Sequence, residues 1–299
     1  MDIKGIVLYA AIVFIGSYAI EALIVFAQFP QALSYALLAV PAVAAWAASR
    51  ISPSTSHRAG SLWPIPKGKA LRIAFVVPVV FAAAYGVATL VGYVHFDWGF
   101  NELMGLLSPI IEQWQIDPAW EPFMPMILFA EALVLSIVLG PTAYAAMMLG
   151  NEYGWRGYLL PRLMPLGRWP AYVITGLLWG LSILPIVLLT PGSAPLQDSV
   201  RVLAMMTALS ILLGELWNRS RHLGLVAICC GCCICQATTI WTFVVISSTT
   251  LLPFESGFDN VSIAAVIVLA FGMTFVFGKL GVGANEAAGD AHGEETIDG

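Results

Sequence analysis

The groups best suited to proton chemistry lie in the run Asn151-Glu152-Tyr153-Gly154-Trp155-Arg156-Gly157-Tyr158-Leu159-Leu160-Pro161-Arg162-Leu163. A carboxylate can take a proton from water, and a guanidinium can hold a developing negative charge. Glu152 and Arg156 are spaced i, i+4, which reads as a surface ion pair that orients a helix end. A second run, Thr175-Gly176-Leu177-Leu178-Trp179-Gly180-Leu181-Ser182-Ile183-Leu184-Pro185, has no acid, base or imidazole. A third, Cys229-Cys230-Gly231-Cys232-Cys233-Ile234-Cys235, holds all five cysteines, so they cannot staple distant segments. Cys229 and Cys232 share a helix face and could give two soft metal ligands, but a complete site needs two more. Small polarisable residues beside a glycine also suit close packing of helices in lipid. Lipidation is a third reading, at a depth of roughly 10 Å past Arg221-His222.

The elements that position these residues follow from composition. Hydrophobic side chains make up 59% of the 299 residues and charged ones 10%, against about 25% charged in a soluble chain. That excludes an ordinary soluble domain and a disordered chain, and no basic nucleic-acid surface is present, so no nucleic-acid partner is expected. Apolar runs at about 5–27, 31–49, 70–94, 123–150, 170–190, 200–217, 223–252 and 261–282 predict eight transmembrane helices. The first reads as an uncleaved span, for want of a small-residue cleavage site. The fold class expected is therefore all-α, a polytopic membrane helix bundle.

Loop charges set the orientation. Arg50, Arg58, Lys67, Lys69 and Arg72 fall in one loop; Asp97, Glu102, Glu112, Asp117 and Glu121 fall in the next. Arg156, Arg162 and Arg168 follow the fourth span, and Arg219 and Arg221 precede the seventh. The positive-inside rule then puts both termini in the cytoplasm, with Arg201 the one dissenter. Trp63, Trp98, Trp114 and Trp217 fit an aromatic belt. Leu103 to Ile111 is too short to cross and reads as interfacial or re-entrant. The chain divides into spans 1–3 with their acidic outer loop (1–119), a domain of spans 4–8 (120–282) and an acidic tail expected to be disordered (283–299). Glu21 and Glu131 are acids inside spans at matching predicted depth, and such acids normally face protein or water.

Over residues 120–240 the first two runs resemble the CPBP family: intramembrane CAAX-type prenyl endopeptidases with bacteriocin-processing, immunity and lysostaphin-resistance relatives. Its pattern is E-E-x-x-x-R, often EExGWRGxLLPRL, then W-G-x-x-H-x-P, then H-x-x-x-N. The resemblance implies a water activated by the first glutamate and two histidines, with an asparagine holding the oxyanion; metal use in the family is disputed. Glu152, Arg156 and the Leu-Leu-Pro-Arg-Leu stretch match. Asn151 takes the first glutamate position, Ile183 the first histidine and Cys230 the second, with Ile234 at the asparagine. A two-residue slip would put Cys232 and Gln236 at the last two positions instead. A carboxamide is no base and isoleucine binds neither proton nor metal. The four histidines, His57, His95, His222 and His292, all fall outside the predicted spans.

The resemblance thus leads to a multi-pass cell-membrane protein without a cofactor, catalytically impaired, that binds membrane lipid and a hydrophobic or lipidated peptide or a membrane partner. The alternative is an active endopeptidase using Glu152, with a cysteine of the seventh span. A proton-linked transporter built on Glu21 and Glu131 is the third reading.

Overall fold

The computed structural model describes residues 2–53, 60–97, 104–105, 108, 117, 119–189, 195–241, 245–247 and 259–276. Its helices are α1 (Ile3–Phe26), α2 (Val40–Ile51), α3 (Lys67–Leu90), α4 (Met124–Leu139), α5 (Ala145–Glu152), α6 (Arg168–Ser182), α7 (Leu184–Leu189), α8 (Pro195–Ser220), α9 (Leu223–Cys235) and α10 (Asn260–Phe271). Among the described residues, six stretches are long and apolar enough to cross a membrane: Ile3–Phe26, Leu33–Ile51, Lys67–Leu90, Phe129–Leu166, Arg168–Leu189 and Pro195–Ser220. Two shorter apolar helices, Leu223–Thr238 and Asn260–Phe275, complete the bundle. The protein is a membrane helix bundle whose outer surface is apolar, with Ile15, Val79 and Leu90 pointing away from the core.

Helix α9 forms the centre. Every residue from Leu223 to Cys233 is buried, against α3, α5, α8 and the turn that precedes α5. The cysteine-rich sequence permits this. A Cβ on Gly231 would stand 2.5 Å from the Gly140 carbonyl and the Ala145 nitrogen, so only glycine lets the backbones approach this closely. All five cysteines are free thiols buried inside protein.

The continuous run 223–252 does not form one helix. Helix α9 passes into a π turn, Gln236–Ile240, and Val245–Ser247 (β2) pairs antiparallel with Val94–Phe96 (β1), Val94 opposite Ser247. β-Branched and aromatic residues suit such a pairing, and Gly92, at φ 73°, turns the chain from α3 into it. The all-α expectation therefore holds but for this two-stranded ribbon. Most of Leu103 to Ile111 and all of the acidic tail lie outside the described residues.

Arg201, the dissenter from the charge pattern, is buried and paired with Asp198 one turn earlier, Nη1 to Oδ1 at 3.2 Å. Its charge is balanced within the bundle, so it exerts little pull on orientation.

Candidate functional site

Residues 151 and 152 are consecutive, and on a regular helix they would diverge by about 100°. Both are buried, Asn151 at 3% and Glu152 at 0% exposure. The cause is a change of helical phase on either side. Gly140–Tyr144 is a π turn, with the Ala145 N–H on the Gly140 carbonyl. Pro141 lies within it, and a proline inside a helix cannot keep the regular ladder. Tyr153–Leu159 is a second π segment, with the Leu160 N–H on the Trp155 carbonyl. π-Bulges of this kind recur at functional sites. Gly154 within it lets α2 in: a Cβ there would stand 2.4 Å from Pro41.

The expected ion pair of Glu152 and Arg156 forms, but it is sealed in the interior rather than at the surface. Arg156 Nη1 lies 3.0 Å from both Glu152 oxygens, and both side chains are fully buried. Only Oε1 is aligned to accept its hydrogen bond. The guanidinium lies over Trp179, its carbon 4.6 Å from the ring centre. Trp155 packs against Trp179 at 6.3 Å and donates its indole N–H to Asn151 Oδ1 at 2.7 Å. Tyr9 of α1 closes the shell, edge-on to Trp155 at 5.5 Å and stacked on Tyr158 at 5.2 Å. The Cys230 thiol of α9 lies beside the Glu152 carboxylate. Among the described residues, Arg156 Nε and Nη2 and the Tyr9 hydroxyl have no hydrogen-bond partner. The cluster thus carries more buried donors than acceptors.

The other motif positions fall as follows. Cys230 meets Glu152, whereas Cys232 lies against Gly140, 3.3 Å from the Cβ position there. Gln236 is buried away from the pair: its amide donates to Ser136 Oγ at 2.9 Å and accepts the Trp241 indole N–H at 3.1 Å. Ile234 is partly buried, and its carbonyl accepts from Thr238 Oγ1 at 2.8 Å. Ile183 sits in the break between α6 and α7. Pro185 causes that break, because its ring displaces the carbonyl of Leu181 four residues back. Tyr18 of α1 supplies the lost bond, its hydroxyl donating to the Leu181 carbonyl at 3.1 Å. One turn before the break, Trp179 is the residue of this run that reaches Arg156. His222 caps α9, accepting the Leu225 N–H on Nδ1 at 3.3 Å, with Nε2 2.8 Å from the Pro64 carbonyl.

Sequence reasoning missed Tyr9 and gave Trp155 and Trp179 no role. Tyr9, Val13, Ser17 and Glu21 recur every four residues and are all buried, so the four-residue spacing was the available signal. Glu21 is sealed within the bundle whereas Glu131 is exposed on α4, so the two acids do not share one cavity.

At the rim of the motif, Asp2 caps α1 through the Gly5 N–H at 2.9 Å and accepts from Arg162 Nε at 3.2 Å and from Ser52 Oγ at 3.1 Å. The Gly5 N–H and then the Arg162 and Ser52 bonds hold the Asp2 carboxyl below the usual aspartate range, against the opposing effect of burial. Arg162 also lies over Tyr158, 3.6 Å from its ring centre. The chain start is thereby fastened to the Leu-Leu-Pro-Arg-Leu stretch.

A metal ion does not fit this site. The one carboxylate is already faced by a guanidinium, the neighbouring groups are a thiol and a carboxamide, and among the described residues no three His, Cys, Asp or Glu side chains converge as ligands. What the site can do is hold charge and hydrogen-bond acceptors in a dry, aromatic-lined setting.

No curated protein shows a significant match to the chain. Residues 128–234, from α4 through the motif helix to Ile234 of α9, match the family model described as type II CAAX prenyl endopeptidase Rce1-like. That segment, which contains Glu152, Arg156, Trp179 and Cys230 and spans about a third of the chain, is similar to the Rce1-like family.

Proposed function

We propose that this is a multi-pass cell-membrane protein, both termini cytoplasmic, that has lost ordinary proteolytic power and binds a hydrophobic or lipidated peptide, or a membrane partner, near the Glu152 cluster. One observation carries the reading: Glu152 faces Arg156 and a thiol, with no imidazole beside it among the described residues. Hydrolysis of an amide needs a base within reach of the attacking water. Asn151 offers none, and its carboxamide is engaged by Trp155.

The test uses the purified full chain and a farnesylated peptide, with binding and cleavage measured together. Saturable binding without product is expected. Turnover abolished by Glu152→Ala but kept by Lys69→Ala, an exposed control, overturns the proposal.

The contact of Cys230 with Glu152 favours a second reading, an active endopeptidase. Cys230 Sγ would attack the scissile carbonyl while its proton passes to Glu152 and on to the departing amine, and water would then release the thioester. That reading requires Cys230→Ala to be as inactive as Glu152→Ala.

A further inference from the structure

A groove of about 580 Å³ runs between α6, α8 and α10, away from the Glu152 cluster. Its walls include Trp169 and Leu177 of α6, Val200, Ala204 and Ile211 of α8, and Phe271 of α10. Phe271 is 61% exposed on the outside of the bundle, so the groove opens towards the surrounding lipid. From Val200 to Ile211 the helix rises roughly 16 Å, about the length of a fatty-acyl chain.

The groove has one charged end. The face of α8 that lines it continues in steps of four from Ile211 to Glu215 and Arg219. Glu215 is buried at 1% exposure and meets two guanidiniums, Arg168 Nη1 at 3.4 Å and Arg219 Nε at 3.3 Å. Two cations against one anion leave a net positive charge. Arg168 is 45% exposed and Arg219 30%, so both can still turn a donor outward. Arg219 Nη2 reaches the Thr274 carbonyl at 3.2 Å, which ties the charged end to the groove wall. The Thr274 hydroxyl, in that wall and 8% exposed as a residue, has no hydrogen-bond partner among the described residues.

We propose that this groove holds one acyl chain of an anionic glycerophospholipid, its phosphodiester seated on Arg168 and Arg219. Guanidinium forks match phosphate oxygens, and anionic lipid is drawn to basic residues at a membrane surface. A peptide fits poorly, because the apolar walls would leave its backbone groups without partners. The inference does not depend on the function proposed above.

The test is native mass spectrometry of the full chain with phosphatidylglycerol or phosphatidylcholine of the same chain length. One tightly held phosphatidylglycerol, preferred about tenfold, is expected. Arg168→Gln, at a half-exposed side chain, should keep the helical content and cut the preference about threefold; Arg168→Gln with Arg219→Gln should bring it near unity. Ala204→Phe should remove the bound lipid of either headgroup. Equal uptake of the two lipids, a preference that survives the double variant, or displacement of the lipid one-for-one by a farnesylated peptide overturns the proposal.

Discussion

Two acid–arginine pairs in this molecule share one spacing and one depth of carboxylate burial, yet they differ in where the guanidinium goes. Glu152 and Arg156, like Glu215 and Arg219, are i, i+4, and both carboxylates are almost wholly inaccessible. Arg156 is sealed with its acid between Trp179 and the Glu152 carboxylate, two of its N–H groups unspent. Arg219 emerges at the groove and spends an N–H on the Thr274 carbonyl, and a second arginine shares its acid. The first arrangement is fixed: neither member can move without stranding a charge in a dry interior. The second has charge to spare and room to turn. One spacing thus produces a rigid internal pair in one place and an adaptable anion-facing end in another, and the surrounding packing decides which.

The sharpest way to break the comparison is to remove one arginine from each. Arg156→Met strands Glu152 and should cost about 3–5 kcal/mol, read as a large drop in the unfolding midpoint in detergent. Arg168→Gln leaves Glu215 with Arg219 and should cost less than about 1 kcal/mol. Joint replacement, Glu152→Gln with Arg156→Met, should recover more than half of the first loss, since a buried pair removed whole costs far less than a pair broken. A loss below about 1 kcal/mol for Arg156→Met would mean that the interior pair is solvated after all.

The helix that brings Cys230 to Glu152 offers a second contrast. Gly231→Ala drives a methyl group into the Gly140 carbonyl and the Ala145 nitrogen, both 2.5 Å away. Overpacking against backbone costs roughly 1–3 kcal/mol, and it should also alter binding at the Glu152 cluster because α9 must retreat from α5. Gly272→Ala meets nothing within 4 Å and should be neutral or stabilising by up to about 1 kcal/mol. Midpoints of the two variants, measured side by side, check the difference. Equal values would show that the close approach of α9 is not what positions Cys230.

The sequence made much of this legible and some of it not, for identifiable reasons. Hydropathy located the apolar elements because bilayer thickness imposes a length on each of them. It joined Val245–Ser247 to the seventh run because a strand partner is tertiary information. The spacing of Glu152 and Arg156 announced their pairing, but i, i+4 is the same on a surface and in a core, so the burial was invisible. The inward turn of both Asn151 and Glu152 depends on π turns bracketing α5, which rest on Pro141, on the Gly154 contact with Pro41 and on the Gly231 contact with Gly140. Those contacts join residues far apart in sequence. Trp179 was in plain view, yet only the folded chain brings its ring over Arg156.

The smallest effect concerns the rim rather than the interior. Asp2 fastens the start of α1 to Arg162 and Ser52, and its carboxyl is held below the usual aspartate range, first by the Gly5 N–H and then by those partners. A carboxyl with a lowered folded-state pKa stabilises fully above its unfolded value of about 3.9, and that contribution is lost as pH falls through the folded value. The pair is partly exposed, so its worth is less than about 1 kcal/mol at neutral pH. Asp2→Asn should therefore lower the unfolding midpoint slightly at pH 7, and the gap to the unaltered chain should narrow as pH falls below about 3.9. A gap for Asp2→Asn that stayed constant from pH 7 to pH 3 would show that the Gly5 N–H, which a carboxamide oxygen can also accept, does all the fastening and that the Arg162 charge adds nothing to it.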